Sequence, residues 1–224
     1  MDKTKKVGFL GGTFNPIHYG HLMIAESARE YLDLDEVLLM PSGHSYMKSV
    51  ASASAEHRLA MTRLAARDYP HFTVSDMEIR RGGNTYTADT IDELRSTYPQ
   101  AELYFIIGAD TLLMMDNWSE PARIFAGAKI AVAVRDFEEN KDIGGASADH
   151  AEVVKEPSVH FTEAMKAQTA YLKEKYHADI IALPIKAIEL SSSTIRARIK
   201  AGRPIGDMVP EAVTHYINEH KLYR

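Results

Sequence analysis

The sequence predicts an α/β fold, a doubly wound and mostly parallel sheet with helices on both faces. Three observations predict it. Short strand-like runs, most of them apolar, recur at 7–10, 36–40, 72–77, 102–108, 129–134 and 179–185, as buried strands do. Between most of them lie longer stretches with apolar residues three and four apart, the pattern of helices packed on a sheet. Strand and helix alternate along the chain, which implies parallel strands joined by crossovers. The outline is Rossmann-like, yet the GxGxxG fingerprint of dinucleotide dehydrogenases is absent.

The first run, Val7, Gly8, Phe9 and Leu10, leads into GGTFNPIHYGH at 11–21, and Leu22, Ala25, Ala28 and Leu32 follow at helical spacing. This reads as strand, tight turn and helix. Gly11 and Gly12 carry no Cβ, so a ligand can approach their backbone closely. Thr13 and Asn15 add short polar side chains. A helix starting near Gly20 directs its N–H groups and positive dipole end at the turn, which favours a phosphate. His18 and His21 flank that spot. Each signal also has a plain structural reading, a turn glycine or a capping histidine, and it is their conjunction that points to a ligand.

The second run ends at Pro41 and opens a polar loop carrying His44, Tyr46 and Lys48. Ala60, Met61, Leu64 and Ala65 form the face of the next helix, and 72–77 is expected to be the third strand. Gly82 and Gly83 mark a turn, after which TYTADTIDEL begins a helix with Ile91, Leu94 and Tyr98 on one face and Thr85 and Thr87 at its N-terminus. The run 102–108 stops at Gly108, Ala109 and Asp110. That aspartate is either a helix cap or an acid at the carboxyl edge of the sheet, where open α/β folds bind ligands. Trp118, the only tryptophan, is a core residue or a stacking platform. The next strand ends at Arg135.

Residues 136–160 are acidic, without period, and are read as a mobile loop or insertion. A polar helix at 161–176 and a last strand carrying Pro184 near its end come next. Ser191, Ser192, Ser193 and Thr194 open a helix with Ile195 and Ile199 on one face, and Arg196 one turn in makes this a second anion site. Pro210 begins an amphipathic tail helix. The chain reads as one domain over 1–224 with a C-terminal helical segment at 191–224.

Composition narrows the classes. With 45% hydrophobic and 25% charged residues the chain is an ordinary globular protein. A net charge of −5 offers no basic field for nucleic acid. The absence of cysteine removes disulfides, thiolate catalysis and Cys-based zinc sites. The polar start MDKTKK and the short apolar run behind it suit neither a signal peptide nor a membrane span, so the expected location is the cytoplasm.

GGTFNPIHYGHL, TYTADTIDEL, FIIGADTL with a downstream Trp, SSSTIR, and a VPEAV tail followed by YI and LY occur in this order over nearly the whole chain. Together they resemble the bacterial nicotinate-nucleotide adenylyltransferase family, within the superfamily that carries an HxGH motif. The resemblance implies adenylyl transfer from ATP to nicotinate mononucleotide, with Mg2+ bound mainly through the ATP phosphates and no metal cage in the protein. It implies ATP contacts at Gly11, Gly12, Thr13, Phe14, His18, His21, Gly108, Asp110, Ser192, Ser193 and Arg196. Pyridine-nucleotide contacts fall on Asn15, Lys48, Thr87, Trp118 and Arg135, and the catalytic set is His18, His21, Lys48 and Arg196. The loop after the second strand reads SYMK where the family often has a Pro-Pro-His-Lys-like sequence, so only Lys48 carries over there. Small-molecule substrates are expected, with no nucleic acid or membrane, and a homo-oligomeric state is left open.

The chemistry fits these residue types without the resemblance. A mononucleotide phosphate has its second pKa near ~6, so it is mostly a dianion at neutral pH and needs no general base. Catalysis then consists of alignment and charge cancellation between two anions. Related alternatives are transfer to nicotinamide mononucleotide or phosphopantetheine, a cytidylyltransferase, a synthetase fragment, or a binding module without turnover.

Overall fold

The computed structural model describes residues 4–45, 53–135, 161–185 and 190–224. β1 (Lys6–Gly12) leads into α1 (Tyr19–Leu32), and β2 (Glu36–Pro41) completes the first parallel crossover. Next come β3 (His44–Ser45), α2 (Ala55–Ala66), β4 (Phe72–Val74), α3 (Met77–Arg81), β5 (Asn84–Thr85) and α4 (Thr87–Thr97). The second half holds β6 (Glu102–Gly108), α5 (Ala109–Leu112), a 3-10 turn at Met115–Asn117, α6 (Pro121–Gly127) and β7 (Lys129–Arg135). It closes with α7 (Glu163–Tyr176), β8 (Ile180–Ile185), α8 (Ser192–Lys200) and α9 (Glu211–Glu219). The expected loop at 136–160 and Lys48 lie outside the described residues.

The main sheet has six strands in the order β4-β2-β1-β6-β7-β8, and every pair is parallel. Its winding reverses between β1 and β6, the position at which doubly wound sheets open a crevice beyond their carboxyl ends. Side chains alternate across the sheet as the pleat requires. Leu10, Ile106 and Ala131 face α1, α2, α8 and α9 through Leu22, Met61, Ile195 and Val213. Phe9, Phe105 and Val132 face α4, α6 and α7 through Ile91, Ile124 and Leu172. Each fully buried aliphatic side chain of this kind contributes ~1.5–3 kcal/mol. Gly8 lets the central strand sit tightly here, since a Cβ would come within 2.6 Å of Leu34 Cδ1.

Four local expectations are corrected. The run 72–77 is not one strand: β4 ends at Val74, and Met77 starts α3. Ser75 gives its N–H to Leu39 and its hydroxyl accepts the N–H of Met77 at 3.3 Å, so the chain turns there. Thr85 is not at a helix start but in β5, paired with Ser45 of β3 in a separate two-stranded sheet. Pro210 is the cap before α9 and not its first residue. α7 begins two residues later than expected, at Glu163, because Thr162 caps it. Pro184 lies in β8, an edge strand that pairs only with β7, where a missing N–H is tolerated. Among the described residues no helix is long and apolar enough to cross a membrane.

Candidate active site

The ladder between β1 and β6 stops at Phe9 and Phe105, whose rings stack 4.7 Å apart. Beyond that pair β1 runs on beside β2 to Gly12, and β6 runs on beside β7 to Gly108. The two central strands therefore part at their carboxyl ends and open a crevice. A Cβ added to Gly11 or to Gly108 would meet no atom of the described residues within 4 Å. Neither residue has a positive φ, so neither glycine is required by backbone conformation or by packing. Both leave space at the crevice among the described residues. Gly12 differs, because a Cβ there would lie 2.6 Å from the Phe14 ring.

Phe14 takes a positive φ of 47° and is buried, which folds the turn back over Gly12. Its ring meets His21 edge-on at 4.9 Å. His18, only 5% exposed, sits at the cap of α1 with its ring stacked on His21 at 3.7 Å. Gly20 makes room for that ring, since a Cβ there would be 3.1 Å from it. Burial lowers the His18 pKa to about 4, so the imidazole is neutral at pH 7, and its buried Nδ1 has no hydrogen-bond partner among the described residues. The backbone N–H of His18 donates to His21 Nδ1 at 3.3 Å. The acceptor nitrogen cannot also carry the proton, so the N–H of His21 is on Nε2.

The start of α1 is less open to an anion than its sequence suggests. Tyr19 N–H donates to Met208 O at 3.0 Å and His21 N–H to His18 O at 2.9 Å. The first turn is anchored on the C-terminal segment and on itself, and what it offers a phosphate is chiefly its dipole and the two rings. α8 comes to the same turn from the far end of the chain. Ser192 Oγ donates to Pro16 O at 2.8 Å, and Arg196 Nη1 donates to Asn15 O at 2.8 Å. Ser191 caps α8 by accepting the Thr194 N–H and bonds the Ser193 hydroxyl at 2.8 Å. The serine hydroxyls are thus engaged in docking and capping, as is the Thr194 N–H, while the donors of the Arg196 fork other than Nη1–H to Asn15 and the backbone N–H groups of Ser192 and Ser193 stand beside the turn.

The residues expected to meet a pyridine nucleotide belong mostly to the other face of the sheet. Thr87 is the first residue of α4, and its cap, Tyr86, makes no side-chain capping bond. Trp118 is half-buried, packs against the second core and lies 6.1 Å from the Phe105 ring. Its buried Nε1 has no hydrogen-bond partner among the described residues. Asp110 is exposed in the first turn of α5, whose cap is Gly108, so the capping alternative for Asp110 falls. Arg135 closes β7 at the same carboxyl edge. Asn15 is buried within the turn on the α1 side of the sheet.

Residues 9–198 match the family model described as cytidylyltransferase-like. A protein of Lachnoclostridium phytofermentans named "probable nicotinate-nucleotide adenylyltransferase" is 40% identical over 98% of this chain and 99% of its own. The chain belongs to the nicotinate-nucleotide adenylyltransferase family. A relative of the same name from Dehalococcoides mccartyi is 38% identical over 97% of both chains. The fold agrees with that of the Plasmodium falciparum nicotinic acid mononucleotide adenylyltransferase solved with NaAD, at a TM-score of 0.71 and 17% identity, covering 98% of this chain and 97% of that one.

Within this family member, sequence reasoning passed over one buried cation. Arg58, in the first turn of α2, is 3% exposed and donates to Thr13 O at 2.8 Å and Gly43 O at 3.0 Å. Desolvation lowers its pKa. The available signal was an Arg among Leu59, Met61 and Thr62, facing inward at helical spacing. Periodicity reports that such a side chain is buried, not what it holds. Tyr223, near the C-terminus, lies close enough to Arg58 and Arg196 for both charges to act on its phenol, whose pKa burial raises.

Proposed function

We propose that this protein transfers the adenylyl group of ATP to nicotinate mononucleotide, giving nicotinate adenine dinucleotide and pyrophosphate in NAD biosynthesis. The observation that carries the reading is the crevice between β1 and β6, with Gly11 and Gly108 each facing space that no atom of the described residues fills. Family membership at 40% identity over nearly the whole chain supports the same reaction. The two sets of residues on opposite faces of the sheet suit a dinucleotide assembled across its edge.

A phosphate oxygen of the mononucleotide attacks the α-phosphorus of ATP. The bond from that phosphorus to the oxygen bridging to the β-phosphate breaks, and pyrophosphate leaves with the electron pair. The nucleophile is already a dianion, so the residues align and neutralise rather than remove a proton. His21 offers Nε2–H, Arg196 the free part of its fork, and His18 a neutral ring that gains affinity for a proton when the triphosphate arrives. Lys48 adds a further cation in this reading. Asp110, exposed at the end of β6, is suited to ribose hydroxyls, and the α4 N-terminus at Thr87 to the pyridine carboxylate.

Magnesium fits as an ion carried by the ATP phosphates. Among the described residues no group of three or more His, Cys, Asp or Glu is arranged to hold a metal, and Mg2+ commonly keeps its waters and binds through phosphates. When bound it lowers the negative charge of the triphosphate. Pyrophosphate release from ATP, run in parallel with nicotinate mononucleotide, nicotinamide mononucleotide and phosphopantetheine, tests the reading. Turnover should be fastest with the nicotinate compound. A preference for phosphopantetheine, or no turnover with any acceptor, would reject it.

A further inference from the structure

We propose that Arg58 is a positioning residue for adenylyl transfer, whose single guanidinium locks the turn after β1 and the loop after β2 into one frame. The proposal rests on the adenylyl-transfer reading above. Ser54 caps α2 by accepting the His57 N–H at 3.4 Å, which puts Arg58 in the first turn, pointing at both loops. One terminal nitrogen of its fork holds Thr13 O and the other holds Gly43 O. Those carbonyls are thirty residues apart in sequence but belong to neighbouring strand ends, which a second bond, Ser42 N–H to Gly12 O at 2.8 Å, also joins. The loop after β2 is set close as well, since a Cβ at Gly43 would fall 2.7 Å from the carbonyl oxygen of Glu78.

Packing alone does not explain an arginine at this position. A buried cation loses hydration worth several kcal/mol and is ordinarily paired with a carboxylate. Arg58 forms no ion pair among the described residues, and its Nε is buried without a hydrogen bond. An apolar side chain of similar volume fills such a site at lower cost. What an apolar residue cannot do is hold two backbone carbonyls in fixed relation, for which the planar fork is suited.

The direction of those carbonyls matters for the reaction. Thr13, Asn15 and Pro16 have their carbonyl oxygens drawn to Arg58, Arg196 and Ser192 respectively. The negative ends of these three peptides are thereby committed to protein donors, where they do not repel a bound triphosphate. Releasing Thr13 lets its carbonyl turn toward the anion and frees the loop after β2 to drift relative to the ATP site. A displacement of this kind, of about 1 Å, costs roughly 100-fold in an alignment-dependent reaction.

The test compares the wild-type enzyme with Arg58→Lys, which keeps the charge but not the fork, and Arg58→Ala. Three readouts are taken: steady-state kinetics for both substrates, hydrogen exchange of the backbone at 11–16 and 41–45, and rescue by methylguanidinium. Arg58→Lys should lose roughly 10- to 100-fold in kcat while KM for each substrate moves less than about threefold. Exchange should quicken in both loops together. Methylguanidinium, but not ethylammonium, should restore activity to Arg58→Ala. If that variant does not fold, Arg58→Lys decides alone. Wild-type kcat in Arg58→Lys, or unchanged exchange in the two loops, would overturn the proposal, as would misfolding of both variants, which marks a purely structural role. If the wild-type enzyme makes no dinucleotide, the adenylyl-transfer reading fails, and the exchange measurement still decides whether Arg58 holds both loops.

Discussion

Arg196 Nη1 donates to the backbone carbonyl of Asn15 at 2.8 Å, across 181 residues of sequence. This bond, with that from Ser192 to Pro16, fastens the N-terminus of α8 to the turn that follows β1. The turn after β1 is therefore completed by the C-terminal part of the chain, and in the proposed reaction a phosphate held at the turn would also meet α8.

Replacing Arg196 by Lys exchanges a fork for a point charge. One arm of the fork already holds Asn15, so the lysine cannot both hold the turn and reach the triphosphate. KM for ATP should rise by ~10-fold or more, with a smaller change for nicotinate mononucleotide, in steady-state kinetics with each substrate varied. Equal loss for the two substrates would remove Arg196 from the triphosphate site.

Gly11→Ala separates ligand space from protein packing. The added Cβ meets no atom of the described residues within 4 Å at an exposed position, so stability should stay within ~0.5 kcal/mol of wild type. Affinity for ATP should nevertheless fall by roughly 10-fold or more, equivalent to ~1.4 kcal/mol. Thermal melts and calorimetric ATP titration measure the two quantities, and unchanged ATP affinity would mean that the crevice lies elsewhere.

His18 couples the site to pH. Its pKa in the folded chain is depressed to about 4 from 6.5, so the unfolded chain binds more protons between these values. Stability from this residue is complete above pH ~6.5 and is lost as pH falls through about 4. His18→Gln should flatten that loss in denaturant melts from pH 7 to 4. A bound triphosphate raises the His18 pKa, so ATP binding at pH 6 should take up a fraction of a proton, seen as a buffer-dependent enthalpy that the variant lacks. His21→Ala should lower kcat ~10²-fold by removing a donor at developing charge. Near-normal turnover in that variant would exclude it from catalysis.

Trp118 is the single tryptophan, so its fluorescence tests the proposed pyridine site directly. Nicotinate mononucleotide should quench it and ATP alone should not. Trp118→Ala should weaken both pyridine nucleotides while ATP affinity stays the same, and lost packing on Phe105 should also cost ~1–3 kcal/mol of stability. In the wild-type protein the acid should be preferred over the amide by at least ~10-fold, because helix N–H groups pair with a carboxylate and leave an amide N–H unpaired. Wild-type binding by the variant would leave Trp118 as a core residue only.

Much of this protein is legible along the chain. The six main strands, the large helices and the glycine turn with His18 and His21 all follow from periodicity and from the conformational demands of Gly and Pro, which act over a few residues. The short pieces were misread for the same reason. Phe72, Val74 and Met77 are apolar among polar neighbours, which does not mark where the strand stops, and the bond from Met77 N–H to Ser75 Oγ turns the chain just after Val74. β3 and β5, two residues each, are too short to carry a period.

The amino-acid sequence by itself determined which segments become strands or helices, which side of each is apolar, and that Gly11, Gly12, His18 and His21 stand together within residues 11–21. Tertiary structure alone decided the strand order, the parting of β1 from β6 beyond Phe9 and Phe105, and the burial of His18. It also decided the meeting of Arg58, Ser192 and Arg196 with the carbonyls of Thr13, Pro16 and Asn15. The physical reason is range. Helix and strand patterns record interactions between residues a few positions apart, whereas a side chain that accepts or donates across 45 or 181 residues leaves no periodic trace. Its partner is set by how the two faces of the sheet pack, after the local elements have formed.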